Sequence, residues 1–447
     1  MDKITTRLEK LFFSFVRKRL AMYQGQFIAQ LKGNAQGVCL LVLSLFFSQG
    51  CHGQAITTRS QHSEESVASP TTLKLGAERT ELYWTSLSNL RIGVVANQTS
   101  QLGSLHLVDS FLRGGIRVVK VFSPEHGFRG HAAAGEHVAS GKDSATGLPL
   151  VSLYGSHFKP SPQDLADVDA LVFDIQDVGV RFYTYLSTLH YCMQACAEQG
   201  KPLWILDRPN PNGFYMAGPM LDSGISSMVG LHPIPLVHGM TLGELAQMIN
   251  HEGWLGLPKS SISPLRCDLH VIPLAGWKRS DEYILPIPPS PNLPTQTSIY
   301  LYPSLGLLEG TCLSMGRGTS HPFECYGAPW LKPEDGYRYT FTPKSIPGKA
   351  VHPPYEGKLC YGVNLQHYAD MVHDKPVLML QFLINPYRLA TTEQKAIFFN
   401  SFLTKLAGTS SLREAIERGD ELWEIQASFE PQLEAFTLRR KPYLLYP

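Results

Sequence analysis

The sequence has almost no imbalance of charge. Lys and Arg number 39 against 38 Asp and Glu, and charged residues make up 17% of the 447. A chain without a net basic field has little to gather nucleic acid with, and no acidic tail is present. Hydrophobic runs of membrane-spanning length are missing too. Val38–Phe47, interrupted only by Ser44, is ten residues long, well short of the ~20 that cross a bilayer core. No Gly-x-Gly-x-x-Gly follows the first apolar strand, where the chain reads Gly93-Val-Val-Ala-Asn-Gln98, so a dinucleotide site is disfavoured. There is no Walker A sequence, no His-Glu-x-x-His and no Gly-x-Ser-x-Gly elbow;. Cys192 and Cys196 have a helical i, i+4 spacing, but no second Cys/His pair follows at zinc spacing. They read as small buried apolar residues, and neither a metal nor another cofactor is expected.

What is present suits a globular enzyme. Apolar residues at 43% can fill the cores of two or three domains;. Gly 38 and Pro 32 imply many shaped loops, and aromatics at 10% would suit a carbohydrate cleft as well as a core;. The N-terminus carries basic residues from Lys3 to Lys32, then the short apolar run, then Ser48-Gln49-Gly50-Cys51. This predicts a secretory signal over 1–50, with Met22 an alternative start and Cys51 the lipidated residue. The protein is then an exported, periplasmic, membrane-anchored lipoprotein of a Gram-negative bacterium. Residues 51–80 read as a flexible tether. Nothing in the sequence sets an oligomeric state.

From residue 90 the pattern alternates strand and helix. Strands are predicted at 91–96, 116–122, 150–153, 170–175, 202–206 and 269–274. Helices are predicted at 105–112, at 183–198 closed by Gly200, and at 239–250 with Thr241 as N-cap and Glu244 completing a capping box. Continuous apolar strands between helices predict an α/β fold, a Rossmann-like doubly wound, mostly parallel sheet over 81–325. A smaller α+β domain over 326–447 is expected to hold helices near 393–407 and 411–418.

In such sheets ligands bind beyond the carboxyl ends of the strands. Four strands end in polar, Gly- and Pro-rich loops, which carry Asn97, Glu125 and His126, then Asp174, Asp177, Arg181, Tyr183 and Tyr185, then Asp207, Arg208 and Asn210. Glu125, between Pro124 and His126 and near Phe122 and Phe128, could be a general acid, or it could pair structurally with Arg129. Glu136 follows in the same loop region, and two carboxylates facing one bond are what glycoside hydrolysis needs. Asp174, Asp177 and Arg181 could hold hydroxyls or a carboxylate, or form a buried network. Asp207 and Arg208 carry the same ambiguity. Arg317 stands between Gly316 and Gly318 in a loop able to close on an anion. His232 and His238 read as structural.

Four segments resemble the bacterial exo-β-N-acetylmuramidases. They are Ser123-Pro-Glu-His-Gly-Phe-Arg-Gly130, Phe173-Asp-Ile-Gln-Asp-Val-Gly-Val-Arg-Phe-Tyr-Thr-Tyr185, Leu206-Asp-Arg-Pro-Asn-Pro-Asn-Gly213 and Leu313-Ser-Met-Gly-Arg-Gly-Thr319. The resemblance runs from about Leu82 to Pro447. It implies a Rossmann-like domain without nucleotide, a smaller C-terminal domain, and an active site between them. It also implies release of terminal N-acetylmuramic acid from peptidoglycan fragments, with Glu125 as the catalytic acid. The second catalytic group stays open among Glu136, an Asp such as Asp177, and the substrate's own acetamide. A non-catalytic periplasmic binding lipoprotein would share the export signal, two lobes and polar cleft. A serine esterase or β-lactamase-like hydrolase is the other alternative, and the missing elbow counts against it.

Overall fold

Apolar runs bounded by Gly, Pro and polar residues build the framework. Ile92–Ala96 (β1), Val118–Ser123 (β2), Pro149–Ser152 (β3), Ala170–Asp174 (β4), Pro202–Leu206 (β5) and Asp268–Ile272 (β6) are strands. The computed structural model describes residues 72–129, 141–257 and 262–447. In it these strands pair in parallel in the order β6-β5-β4-β1-β2-β3. A short antiparallel strand, Gly141–Lys142, extends the sheet beside β3. The doubly wound, mostly parallel sheet is the one the sequence predicts, and read from the β3 side its strand order is 3-2-1-4-5-6;. Every residue of β1 and β4 is buried, because helices cover both faces of the sheet;.

The helices that place the site are Leu107–Arg113 (α1), Tyr185–Gln199 (α2), Leu242–Glu252 (α3) and Gln296–Leu305 (α4). α2 stops where Gly200 turns left-handed at φ 61°;. α3 starts on the predicted capping box, with Thr241 Oγ1 accepting from Glu244 N and Glu244 accepting from Thr241 N;. On one face of the sheet Val94, Val121 and Val172 pack against Val108 and Phe111 of α1. On the other, a single buried cluster runs from Val95 and Phe122 through Leu301 to Leu412, Ile416 and Phe436 near the C-terminus. That C-terminal part contains a three-stranded antiparallel sheet, Tyr339–Phe341, Cys360–Asn364 and Cys325–Ala328, followed by short helices.

The predicted helix at 393–407 is two helices, Thr392–Phe398 and Phe402–Ala407. The break falls where Asn400 donates its N–H to Gly310 O at 3.0 Å and its Nδ2 to Glu309 O at 3.2 Å. These side-chain and main-chain bonds to a distant segment replace helical ones. The stretch 208–238, irregular in the sequence reading, contains an antiparallel pair, Ala217–Met220 with Pro235–Val237. No helix among the described residues is long and apolar enough to cross a membrane. The predicted signal segment, Cys51 and residues 51–71 of the tether lie outside the described residues, as does Glu136.

Candidate active site

The strand order reverses between β1 and β4, so the crevice beyond their carboxyl ends is where the fold invites a ligand;. Part of it is taken by the chain itself. The Pro-rich segment 286–294 packs there, and Pro289 O accepts from the hydroxyls of Tyr183 and Tyr185, both at 3.1 Å. Gln98, just after β1, donates Nε2 to Pro288 O at 3.0 Å and to Pro289 O at 3.2 Å. Asn97 shapes the turn after β1. Its Oδ1 accepts from Thr99 N at 2.9 Å and Thr99 Oγ1 at 2.6 Å, and its Nδ2 donates to Tyr185 Oη at 3.0 Å. The Asn97 side chain therefore organises the loop.

Glu125 sits at the end of β2 in a tight turn closed by Gly127 N to Pro124 O at 3.0 Å. The third residue of that turn, His126, has φ 70°, an unusual value for a side chain other than glycine;. Such a conformation costs ~1–3 kcal/mol and persists only when its surroundings hold it. Here His126 is buried and its Nε2 meets Ser290 Oγ at 3.1 Å. The strain fixes the direction in which Glu125 projects. Its half-buried carboxyl accepts from Thr184 Oγ1 at 2.8 Å through Oε2. Arg129 is instead engaged by Asp143 at 2.9 Å and Asp109 at 3.6 Å.

A second arm of the site comes from α4 and the loop after it. Arg317 lies between two glycines with φ 80° each, and its guanidinium is held by Glu309 Oε1 at 2.6 Å from Nη2 and 3.2 Å from Nε. It also lies 5.1 Å from the ring centre of Phe323, whose own φ is 56°;. Burial alone would lower the Arg317 pKa, but the Glu309 carboxylate raises it above the ordinary value. The charge of Glu125 reaches Arg317, Tyr185 and Tyr302. Residues from the ends of β2 and β4, from α4 and from the loop at 313–319 thus converge on one place.

Other predicted residues are committed elsewhere. Asp174 and Arg208 pair with each other in a fully buried fork, Nε to Oδ1 at 2.5 Å and Nη2 to Oδ2 at 3.0 Å. Asp207 accepts from Thr241 Oγ1 at 2.7 Å, Gly243 N at 2.9 Å and Tyr446 Oη at 2.6 Å. It therefore ties the closing Tyr-Leu-Leu-Tyr segment to the sheet and the start of α3. Asn210 accepts from Asn212 N at 2.8 Å and donates to Met240 O at 2.9 Å. Arg181 meets neither the expectation that it holds substrate hydroxyls or a carboxylate nor that of an Asp–Arg network. It is 1% exposed and donates to four main-chain carbonyls, those of Pro219, Ile234, Leu406 and Ala407. Burial lowers its pKa to about 9. It joins the loop after β5 to the C-terminal helices.

Asp177 is intermediate between the two groups. It is buried, its Oδ2 accepts from Gly179 N at 2.7 Å, and its Oδ1 has no hydrogen-bond partner among the described residues. Desolvation pushes its pKa up to about 7. His238 Nδ1 accepts from Met240 N, so its Nε2 carries the proton, and that Nε2 stands 4.0 Å from Asp177 Oδ2;. The fields of Asp177 and Glu125 both reach Tyr185 and Tyr302. Both tyrosines therefore lie within electrostatic reach of a buried carboxyl and a half-buried one.

Sequence reasoning missed Thr184, Tyr302 and Glu309, the residues that support or adjoin Glu125 and Arg317. Glu309 had a usable signal, since it precedes Arg317 by eight residues in one Gly-rich stretch. The six described cysteines are free thiols. Ser156 and Lys159 have the Ser-x-x-Lys spacing that a β-lactamase-like hydrolase would use, but they lie on a loop where Lys159 binds Glu198 at 2.9 Å;. No cluster of His, Cys, Asp and Glu able to hold a metal is found among the described residues.

Comparison with known proteins gives one family. The profile of the N-terminal domain of exo-β-N-acetylmuramidase NamZ matches residues 92–297, and that of its C-terminal domain matches 300–446. The peptidoglycan β-N-acetylmuramidase NamZ of Bacillus subtilis (strain 168) is 40% identical over 381 residues, covering 81% of this chain and 89% of that protein. Two DUF1343 family proteins of known structure from Bacteroides fragilis NCTC 9343 each match 84% of this chain and 99% of their own. One is 47% identical with a TM-score of 0.75; the other is 28% identical with a TM-score of 0.72. The four motifs, the strand order and the two matched domains agree, and the chain belongs to the exo-β-N-acetylmuramidase NamZ family.

Proposed function

We propose that this protein is an exo-acting glycoside hydrolase that releases non-reducing terminal N-acetylmuramic acid (MurNAc) from peptidoglycan fragments such as MurNAc-GlcNAc. The observation that carries the reading is the pairing of a held acid with a held cation. Thr184 orients Glu125, Glu309 orients Arg317, and the charge of Glu125 reaches Arg317. MurNAc differs from GlcNAc by a lactyl ether at C3 that ends in a carboxylate. A guanidinium fork is suited to that group. With the carboxylate on Arg317, the anomeric end of the sugar falls toward Glu125.

Glu125 then acts as general acid. Its proton passes to the glycosidic oxygen as the C1–O bond breaks, and the second sugar leaves as a neutral alcohol. Water adds to C1 and gives up a proton, which restores the acid. The hydrogen bond from Thr184 holds Oε2 of that carboxyl. The name of the Bacillus subtilis relative supports the same substrate class.

Paired nitrophenyl glycosides test the specificity. The mature protein should cleave the MurNAc glycoside and leave the GlcNAc glycoside nearly untouched. Arg317→Ala should cut kcat/KM on the former by about 10- to 100-fold, the worth of a charged hydrogen-bonded pair, with little change on the latter. Equal cleavage of both by the wild type would remove the basis for muramic specificity.

The basic N-terminal region, the ten-residue apolar run and Gly50-Cys51 support export to the periplasm with a lipid on Cys51. Radiolabelled palmitate should enter the protein in cells, and Cys51→Ala should abolish the label. A mature form that begins elsewhere and carries no lipid would refute the anchor.

A further inference from the structure

The aromatic layer beside Glu125 contains three tyrosines with different commitments. Tyr183 and Tyr185 both donate to Pro289 O. No hydrogen bond to the Tyr302 hydroxyl is found among the described residues, and that hydroxyl is not among the sealed, unsatisfied atoms of the interior. Its ring is firmly placed. Phe323, Phe182 and Tyr183 meet it edge-on at 4.9, 5.2 and 5.8 Å between centroids. A Cβ on Gly306 would come within 3.4 Å of the Tyr302 ring and 2.6 Å of Phe182. A fixed ring with an uncommitted hydroxyl is a pre-oriented donor.

The ring contacts place Tyr302 near both functional groups: Phe323, 4.9 Å away, also lies 5.1 Å from the Arg317 guanidinium, and Tyr183, 5.8 Å away, precedes the Thr184 that binds Glu125. Glu309, Arg317, Glu125 and Asp177 all act on the Tyr302 hydroxyl, from separate parts of the chain. Burial first, and then Glu309, hold the phenol well above its usual range, so it keeps its proton and can donate;. Arg317 and Glu125 are the two groups assigned above to the C3 lactyl carboxylate and the C1 oxygen. The carbon between C1 and C3 is C2, which bears the acetamide.

We propose that the Tyr302 hydroxyl donates a hydrogen bond to the acetamide carbonyl oxygen at C2 of the terminal sugar, completing a row of Arg317, Tyr302 and Glu125 matched to C3, C2 and C1. This rests on the muramidase reading. Tyr302 is then a specificity residue for the N-acyl group, distinct from the acid and from the reader of the carboxylate. The bond also fixes the rotation of the ring, which places the glycosidic oxygen against Glu125.

The test compares two sugars in the mature protein and in Tyr302→Phe, which keeps the ring contacts. Titration calorimetry measures the binding of MurNAc and of 3-O-lactylglucose, which carries a hydroxyl in place of the acetamide. Tyr302→Phe should weaken MurNAc by about 10-fold or more and leave 3-O-lactylglucose within about twofold, since one neutral hydrogen bond is lost only for the former. kcat/KM on nitrophenyl MurNAc should fall by at least the same factor, with thermal unfolding unchanged. Equal weakening of both sugars would show a merely structural residue and overturn the assignment, as would undiminished MurNAc affinity. Failure of the wild type to hydrolyse nitrophenyl MurNAc would instead defeat the muramidase reading itself. Tyr302→Phe with full affinity in an active enzyme would defeat only the role of Tyr302.

Discussion

Glu125→Gln should lower kcat on MurNAc-GlcNAc by about 10²- to 10⁴-fold, the usual worth of general acid catalysis. Gln keeps the shape and can still accept from Thr184, so the turn at Pro124–Gly127 and its strained His126 should stay intact. What it lacks is the proton. A nitrophenyl leaving group needs less protonation, so the loss on nitrophenyl MurNAc should be smaller if Glu125 is the acid. An equally large loss on both substrates would make Glu125 a nucleophile. Unchanged activity on both would leave it only structural. Arg129 offers no rescue of that structural role, since it is held by Asp143 and Asp109.

Arg208→Met should destabilise the protein by about 3–5 kcal/mol in equilibrium urea unfolding, because it strands a carboxylate inside the sheet. Asp174 is 0% exposed and Arg208 is its bidentate partner. Desolvating a carboxylate is expensive, and only a partner as close as this one offsets the cost. The double variant Asp174→Leu with Arg208→Met should recover most of the loss, since removing both charges removes the penalty. A loss under about 1 kcal/mol for the single change would show that water reaches Asp174, and would return the pair to the list of groups able to meet substrate.

The contrast between these two carboxylates marks the limit of sequence reading. Glu125 and Asp174 both stand at strand ends, both lie in motifs, and both have an Arg within reach along the chain. Only packing distinguishes them: Asp174 faces the buried Arg208, whereas Glu125 projects from a turn braced by Ser290 of a distant loop. Arg181 shows the same limit more sharply. Its motif left open a ligand contact or a buried Asp–Arg network, yet its partners are carbonyls more than thirty residues away along the chain.

The framework was legible because its signals are local. β4 and β5 are continuous apolar runs, Gly200 ends α2, and Thr241 with Glu244 opens α3;. α4 left a weaker mark, since its N-cap Thr295 pairs with Ser298 where α3 has Glu244. Its sequence Gln-Thr-Ser-Ile-Tyr-Leu-Tyr-Pro-Ser-Leu carries a Pro inside and is buried along most of its length, so it has no polar face to set a period;. That concealed Tyr302. An uncharged residue inside an apolar stretch gives no hint of the four charged groups that the fold gathers around it.

The most direct test of the central claim is incubation of the mature protein with MurNAc-GlcNAc and with GlcNAc-MurNAc, followed by mass analysis of the products. The account predicts free MurNAc and GlcNAc from the first disaccharide and none from the second. An untouched MurNAc-GlcNAc, or equal cleavage of the two, would contradict it.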